Sequence, residues 1–139
     1  MKHTLTFDGT DITFEAEEKD VETITRVIMD LLTKEGFVNI DADDVKNVVD
    51  GAGRVVAGEG TASGETRCKD AALQAMKDID DAKAFILNVT TSPEISLGEI
   101  IEATEVLMEK ADPEAQIIWG HIIDESLGDS VRVSIIAAK

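Results

Sequence analysis

One segment constrains the fold more than any other. Ala84-Phe-Ile-Leu-Asn-Val89 is an almost unbroken apolar run with β-branched members. Such a strand has no solvent face, so the run predicts a central strand covered on both sides. Thr91-Ser92-Pro93 breaks it, and the flanking segments supply what it needs. Glu65 to about Met76 reads as a helix. Ser96 with Glu99 three residues on is a capping box that opens another. This second helix runs to about Ala111 through Ile100, Ile101, Val106, Leu107 and Met108, and Asp112-Pro113 ends it. Gln116–Ile123 and Val131–Ala138 read as two more strands joined by a hairpin-like connection, Asp124–Asp129, and Arg54–Ala57 as a further short one. From residue 40 the order is helix, strand, helix, strand, helix, strand, strand. That order predicts an α/β (α+β) two-layer sandwich with a roughly four-stranded sheet and flanking helices.

Two elements precede this unit. Thr4 to Phe14 reads as a β-hairpin, with Leu5 and Phe7, then Ile12 and Phe14, alternating with polar residues about an Asp8-Gly9 turn. That turn pairs Leu5 with Ile12 and Phe7 with Thr10, so all four apolar residues share a face that must pack on something. Glu15 to Glu35 carries a helical period in Val21, Ile24, Val27, Ile28, Leu31 and Leu32. Acidic residues suit its start and Gly36 is a natural C′ stop. A helix of that span is about 30 Å long. A short helical run, Val45 to Val49, follows.

The chain has 139 residues, 43% of them hydrophobic, enough for a real core. One Trp, four Phe and no Tyr give no stacking platform for single strands, and a net charge of −16 opposes nucleic acids and anionic membrane surfaces. The single cysteine, Cys68, forms no intrachain disulfide and suits a reducing compartment. No signal peptide opens the chain and no apolar run approaches a membrane span, so the expected location is cytoplasmic.

Polar residues look chosen for position in one place, the stretch Gly36–Val45. Asp41 is a good helix N-cap, and Asp43 and Asp44 lie in the first turn, where the helix dipole favours negative charge. Capping alone accounts for the aspartates. It does not account for Asn39, and an Asn with two carboxylates on an exposed loop could also hold a cation or orient a water. Elsewhere the signals are weaker. Gly58–Gly64 leads into a helix as a phosphate cradle does, but it misses the dinucleotide spacing, lacks a lysine and carries Glu59 and Glu65; tight turns and close backbone packing explain it better. His3 belongs to the hairpin near the terminus, and His121 follows Gly120 in a buried-looking strand, where a structural role is expected. Cys68 has Arg67 and Lys69 beside it at a helix start, which could lower its pKa, but no His lies near in sequence to act as base. No His/Cys metal cluster is present, and no self-contained catalytic constellation.

From about Val21 to Ala138 the chain resembles FtsZ, the prokaryotic tubulin relative of the division ring. Asn39-Ile-Asp-Ala-Asp-Asp44 is similar to that family's synergy loop, Asn-x-Asp-x-x-Asp, which follows its long central helix. Gly58-x-Gly-x-Ala62-Ser-Gly-Glu-x-Arg67 resembles a glycine-rich family segment. Leu87-Asn-Val-Thr90 with Pro93, then Ile117-Ile-Trp-Gly120, then Ile123-Asp-Glu-x-Leu-Gly-Asp-x-Val-Arg-Val133 continue in the family's order. There are departures. The nucleotide-binding domain with its Gly-Gly-Gly-Thr-Gly loop has no counterpart, and an unmatched hairpin stands in its place. Thr91-Ser92 replaces the usual Gly-Gly, Ala42 a common Phe, and Asp78–Asp81 is a shorter connection. The resemblance divides the chain into an N-terminal hairpin (1–14), a long central-type helix (15–36) and an FtsZ C-terminal-like domain (37–139).

The resemblance implies that the synergy loop of one subunit completes the nucleotide pocket of the next. Asn39, Asp41 and Asp44 are then catalytic only in trans, with GTP and Mg on the partner subunit and no cofactor or metal held by this chain alone. The implied activity is GTP hydrolysis completed in trans, and the implied partner is an FtsZ-type subunit or a second copy, in filament assembly for cell division. Two alternatives stand beside it: an excised or truncated half of a complete FtsZ GTPase, and a small-molecule-binding regulatory domain on the same fold.

Overall fold

The computed structural model describes residues 1–79 and 81–139. The Asp78–Asp81 connection therefore lies partly outside the described residues. The chain opens with β1 (Lys2–Phe7) and β2 (Thr10–Glu15), paired antiparallel in the expected register, Leu5 opposite Ile12 and Phe7 opposite Thr10. Asp8 and Gly9 both have positive φ, 47° and 81°, which is why Asp-Gly serves here: a turn of this hand follows the twist of the strands. Ile12 and Phe14 are buried, and Leu5 packs beside them. The helix α1 (Glu18–Thr33) buries Ile24, Val27, Ile28 and Leu31. It is shorter than the expected Glu15–Glu35, because β2 claims Glu15 for the hairpin ladder and the chain turns extended at Lys34. A short helix α2 (Ala42–Val49) follows.

The main sheet contains β3 (Val55–Ala62), β4 (Ala84–Thr91), β5 (Gln116–Ile123) and β6 (Val131–Ala138), in the order β3-β6-β4-β5. Every residue of β4 is buried, as its apolar run requires. It pairs parallel with β5 and antiparallel with β6. The link between β5 and β6 is thus not a hairpin. It crosses the end of β4, where the Asp124 N–H donates to the Thr91 carbonyl (2.8 Å), and a single 3₁₀ turn, Glu125–Leu127, carries the chain over. A fully buried strand needs ladder partners on both edges, and β4 takes them by separating β5 from β6.

Alternating residues of the sheet face two cores. Phe85, Leu87, Val89, Val133 and Ile135 pack under α3 (Arg67–Met76) and α4 (Leu97–Lys110), which completes the expected α/β sandwich. Ile86, Ile136 and Ala138 face α1, α2 and the hairpin. The hairpin lies chiefly along α2, with Phe14, Val45, Val48 and Val49 in one cluster, rather than mainly on the long helix. On area grounds, burying Ile12 and Phe14 contributes about 1.5–3 kcal/mol each, an upper bound. β3 runs past the expected Ala57 through Gly58 and Gly60, which are strand residues and not turn residues. A Cβ at these positions would meet the carbonyl oxygens of Ala75 and Ala71 at 2.0 and 2.2 Å, so the missing side chains let α3 lie directly on the strand.

Candidate functional site

The segment between α1 and α2 is built onto the free edge of β5. The Ile123 N–H donates to the Glu35 carbonyl and the His121 N–H to the Val38 carbonyl, both at 2.9 Å. Between these two bonds the chain passes so close to β5 that a Cβ on Gly36 would lie 1.7 Å from the His121 carbonyl oxygen. Gly36 is therefore not a left-handed helix stop, as expected from sequence: its φ is not positive, and what requires glycine is the approach to a strand 85 residues away. Beyond it Ile40 is buried and reaches Gly120 on β5 beside Leu31 of α1.

From these anchors the loop presents its polar residues. Asn39 and Asp41 are exposed and Asp44 is half-buried. Asp41 is the N-cap of α2, and a reciprocal box holds both carboxylates. The Asp44 N–H donates to Asp41 Oδ1 (2.9 Å) and the Asp41 N–H donates to Asp44 Oδ2 (3.3 Å). The box uses one oxygen of each aspartate, leaving Asp41 Oδ2 and Asp44 Oδ1 outside it. The structure thus brings Asp41 and Asp44 together and leaves Asn39 exposed, two residues before Asp41 on the loop. An open groove of about 330 Å³ runs between Ile40, Asp41 and Asp43 and the hairpin tip at Phe7 and Asp8. Carboxylates in this number repel a phosphate, but they suit a cation or a water that must be oriented by acceptors.

Behind the loop sits a residue whose role the local sequence did not reveal. The Phe37 N–H donates to His121 Nδ1 (3.0 Å), and His121 Nε2 lies 2.7 Å from Thr91 Oγ1, whose hydroxyl donates to the Ser92 carbonyl (2.7 Å). A backbone N–H only donates, so Nδ1 is the unprotonated nitrogen and Nε2 carries the proton. The Phe37 ring, though 58% exposed, stacks on the imidazole at 4.8 Å between centroids and 16° between planes. Burial holds the His121 pKa below its usual value, which keeps the ring neutral near pH 7.

The remaining candidates are structural. Cys68 is buried, and burial pushes its thiol up to about 11, so the neighbouring Arg67 does not make it a nucleophile. Arg67 is itself engaged: Nε and Nη2 donate to Glu99 Oε1 (2.9 Å) and Oε2 (3.2 Å), and Nη1 donates to the Asp129 carbonyl (2.9 Å). His3 lies against Phe14, 5.7 Å between ring centroids. Among the described residues no group of three or more His, Cys, Asp or Glu side chains is arranged to hold a metal ion. Nor is any of their helices long and apolar enough to cross a membrane.

A mixed four-stranded sheet between helices, entered through a long helix and a carboxylate-bearing loop on its edge strand, defines the class. Residues 53–139 match the FtsZ family, C-terminal domain. The chain belongs to the FtsZ family. It is 33% identical over 131 residues to cell division protein FtsZ 1 of Archaeoglobus fulgidus, an alignment covering 90% of this chain and 36% of the relative. Among solved structures, a tryptophan-to-tyrosine mutant of M. jannaschii FtsZ superposes with a TM-score of 0.77 at 31% identity, over 86% of this chain and 38% of that one. An empty FtsZ dimer of M. jannaschii gives 0.75 at 33% identity, over 83% and 35%. The chain thus spans little more than a third of the length of these relatives.

Proposed function

We propose that this chain offers Asn39, Asp41 and Asp44 to the nucleotide of a neighbouring FtsZ-type subunit and completes GTP hydrolysis there in trans, within a filament serving cell division. The observation that carries the reading is the pair of carboxylates fixed by the Asp41–Asp44 box at an exposed helix start, on a loop tied down to β5. In phosphoryl transfer through a loose transition state, little base strength is needed; what helps is an acceptor that holds the attacking water in line. Asp41 Oδ2 and Asp44 Oδ1 have that capacity, and Asn39 adds a donor and an acceptor on the same exposed loop. The GTP, and the Mg that accompanies it, belong in this reading to the neighbour, whose own pocket supplies the cradle this chain's acidic glycine segment does not. The partner is an FtsZ-type subunit, a second copy of a longer chain included. The likeness to an FtsZ dimer supports association of this kind.

A second reading, that these residues are one part of a complete FtsZ GTPase, is favoured by the share of the relatives that the chain spans, 36% in the archaeal one. The loop keeps the same role in it. The experiment measures GTP turnover by FtsZ from the same cell with increasing amounts of wild-type chain, Asp41→Asn or Asp44→Asn. The wild type is expected to change turnover and both amide variants to leave it at the level of FtsZ alone. Equal effects from all three proteins would reduce the aspartates to caps.

A further inference from the structure

We propose that His121 is the positioning residue of the Asn39–Asp44 loop, and that its protonation breaks the anchor of that loop at Phe37. The proposal deepens the trans-catalytic reading above and rests on it for its functional consequence, but not for the clamp itself.

The geometry admits one protonation state. His121 Nδ1 accepts from Phe37, Nε2–H donates to Thr91, and the Thr91 hydroxyl donates to the Ser92 carbonyl. Each group in this chain is used once, in the only role left to it. A proton arriving on Nδ1 would face the Phe37 N–H, donor against donor, and the hydrogen bond that holds Phe37 to the imidazole would be lost. The Phe37 anchor then gives way, and the loop is left to the Glu35 and Val38 backbone bonds and to Ile40, so its exposed end at Asn39 and Asp41 is held less tightly.

Among the described residues no charged side chain is bonded to the imidazole. β4, which supplies Thr91, has no ionisable residue from Ala84 to Thr91, and β5 has none besides His121 from Gln116 to Ile123. The loop contributes Lys34, Glu35 and Asp41. The turn after β4 and the start of α4 contribute Glu94 and Glu99, and the exit of β5 contributes Asp124. The imidazole nitrogens are bonded to Phe37 and Thr91 instead, and Glu99 is held by Arg67. Burial is the resolved influence on His121, and it lowers the pKa. The ring is therefore neutral, and the clamp closed, above its ordinary value of 6.5, and the clamp opens as pH falls through the lower folded value.

The test is made on the 139-residue chain by following the His121 ring and the Phe37 amide by NMR from pH 8 downward through the His121 midpoint. Wild-type protein should show a Phe37 amide whose shift and exchange protection titrate with the His121 midpoint, protection falling at least about tenfold on the acid side. In His121→Asn the side-chain oxygen replaces Nδ1 as a non-titrating acceptor, so the Phe37 amide should stay protected at both ends of the range. A parallel assay reads stimulation of added FtsZ, normalised at each pH to FtsZ alone; the wild-type profile should fall with the same midpoint and His121→Asn should flatten it. A Phe37 amide that titrates independently of His121, or still titrates in His121→Asn, overturns the clamp. A clamp that titrates as described while the wild type stimulates nothing at any pH leaves the clamp standing and overturns the trans-catalytic reading.

Discussion

The helices α2 and α4 begin with the same device and put it to different use. In each, the N-cap side chain accepts the third residue's N–H and the third residue's carboxylate accepts the N-cap N–H: Asp41 with Asp44 in one, Ser96 with Glu99 in the other. At α4 the carboxylate is used twice. Glu99 also receives both arms of Arg67, whose side chain is only 12% exposed and which reaches on to the Asp129 carbonyl. The Arg67 hydrogen bonds hold the Glu99 carboxyl below its ordinary value of 4.5. This box is part of a network tying α3, α4 and the crossing to β6. At α2 both members are acidic, no arginine among the described residues closes over them, and an open groove runs beside Asp41. A cap needs one carboxylate oxygen and a capping box two. The comparison separates a helix start that serves the fold from one that keeps carboxylate oxygens in reserve.

The largest expected effect breaks the α4 network. Arg67→Met keeps the length of the side chain but leaves Glu99 half-buried without its partner, which should cost about 2–4 kcal/mol. In a chemical denaturation series the midpoint should fall clearly at unchanged m value. Asp129, whose side chain is 80% exposed, should matter little, and Asp129→Asn should sit near the wild type. Acid should sharpen the contrast. Because the Glu99 pKa is lowered by folding, its contribution is complete above about its ordinary value and is lost as pH falls through the folded value. Melting temperatures of the wild type should drop below pH 4.5, and those of Arg67→Met should drop less, since its Glu99 has lost the bonds that lowered the pKa. At the α2 start the comparable change is smaller: Asp41→Ala removes one cap and should cost about 1 kcal/mol, read from the same denaturation series.

How much of this was legible in the sequence depended on the distance over which each feature is decided. The Asp8-Gly9 hairpin, its register and both helix starts are set within a few residues, and they were readable. So was β4, whose apolar run has one physical meaning. The β5–β6 link was misread because a short polar segment between two strands looks the same whether they pair or a third strand separates them. Gly36 was misread for a similar reason. A glycine after a helix ordinarily marks a left-handed stop, and nothing near residue 36 signals the carbonyl of His121 that would collide with a side chain. The site divides along the same line. Its carboxylates follow from a local motif, whereas its anchor at His121 is a contact between residues 37 and 121 that only the folded sheet creates.

The smallest effect on stability tests the comparison most closely. Asn caps a helix about as well as Asp, so Asp41→Asn should keep the bond from the Asp44 N–H. Asp44→Asn likewise retains a side-chain oxygen that can accept from the Asp41 N–H. What each change removes is one negative charge near the positive end of α2, about 0.3–1 kcal/mol at an exposed helix start. This loss is partly offset by relief of repulsion between two carboxylates that the box holds together, and by a lower total charge in a chain carrying −16. The two amide variants should therefore melt within a few degrees of the wild type, and should not approach Arg67→Met. If the oxygens outside the box are only solvated, nothing else should change. If they orient water on a neighbour's nucleotide, the same conservative substitutions should abolish the effect on FtsZ turnover at full stability. Function lost without stability at α2, set against stability lost at α4, would establish that one capping motif has been put to two uses.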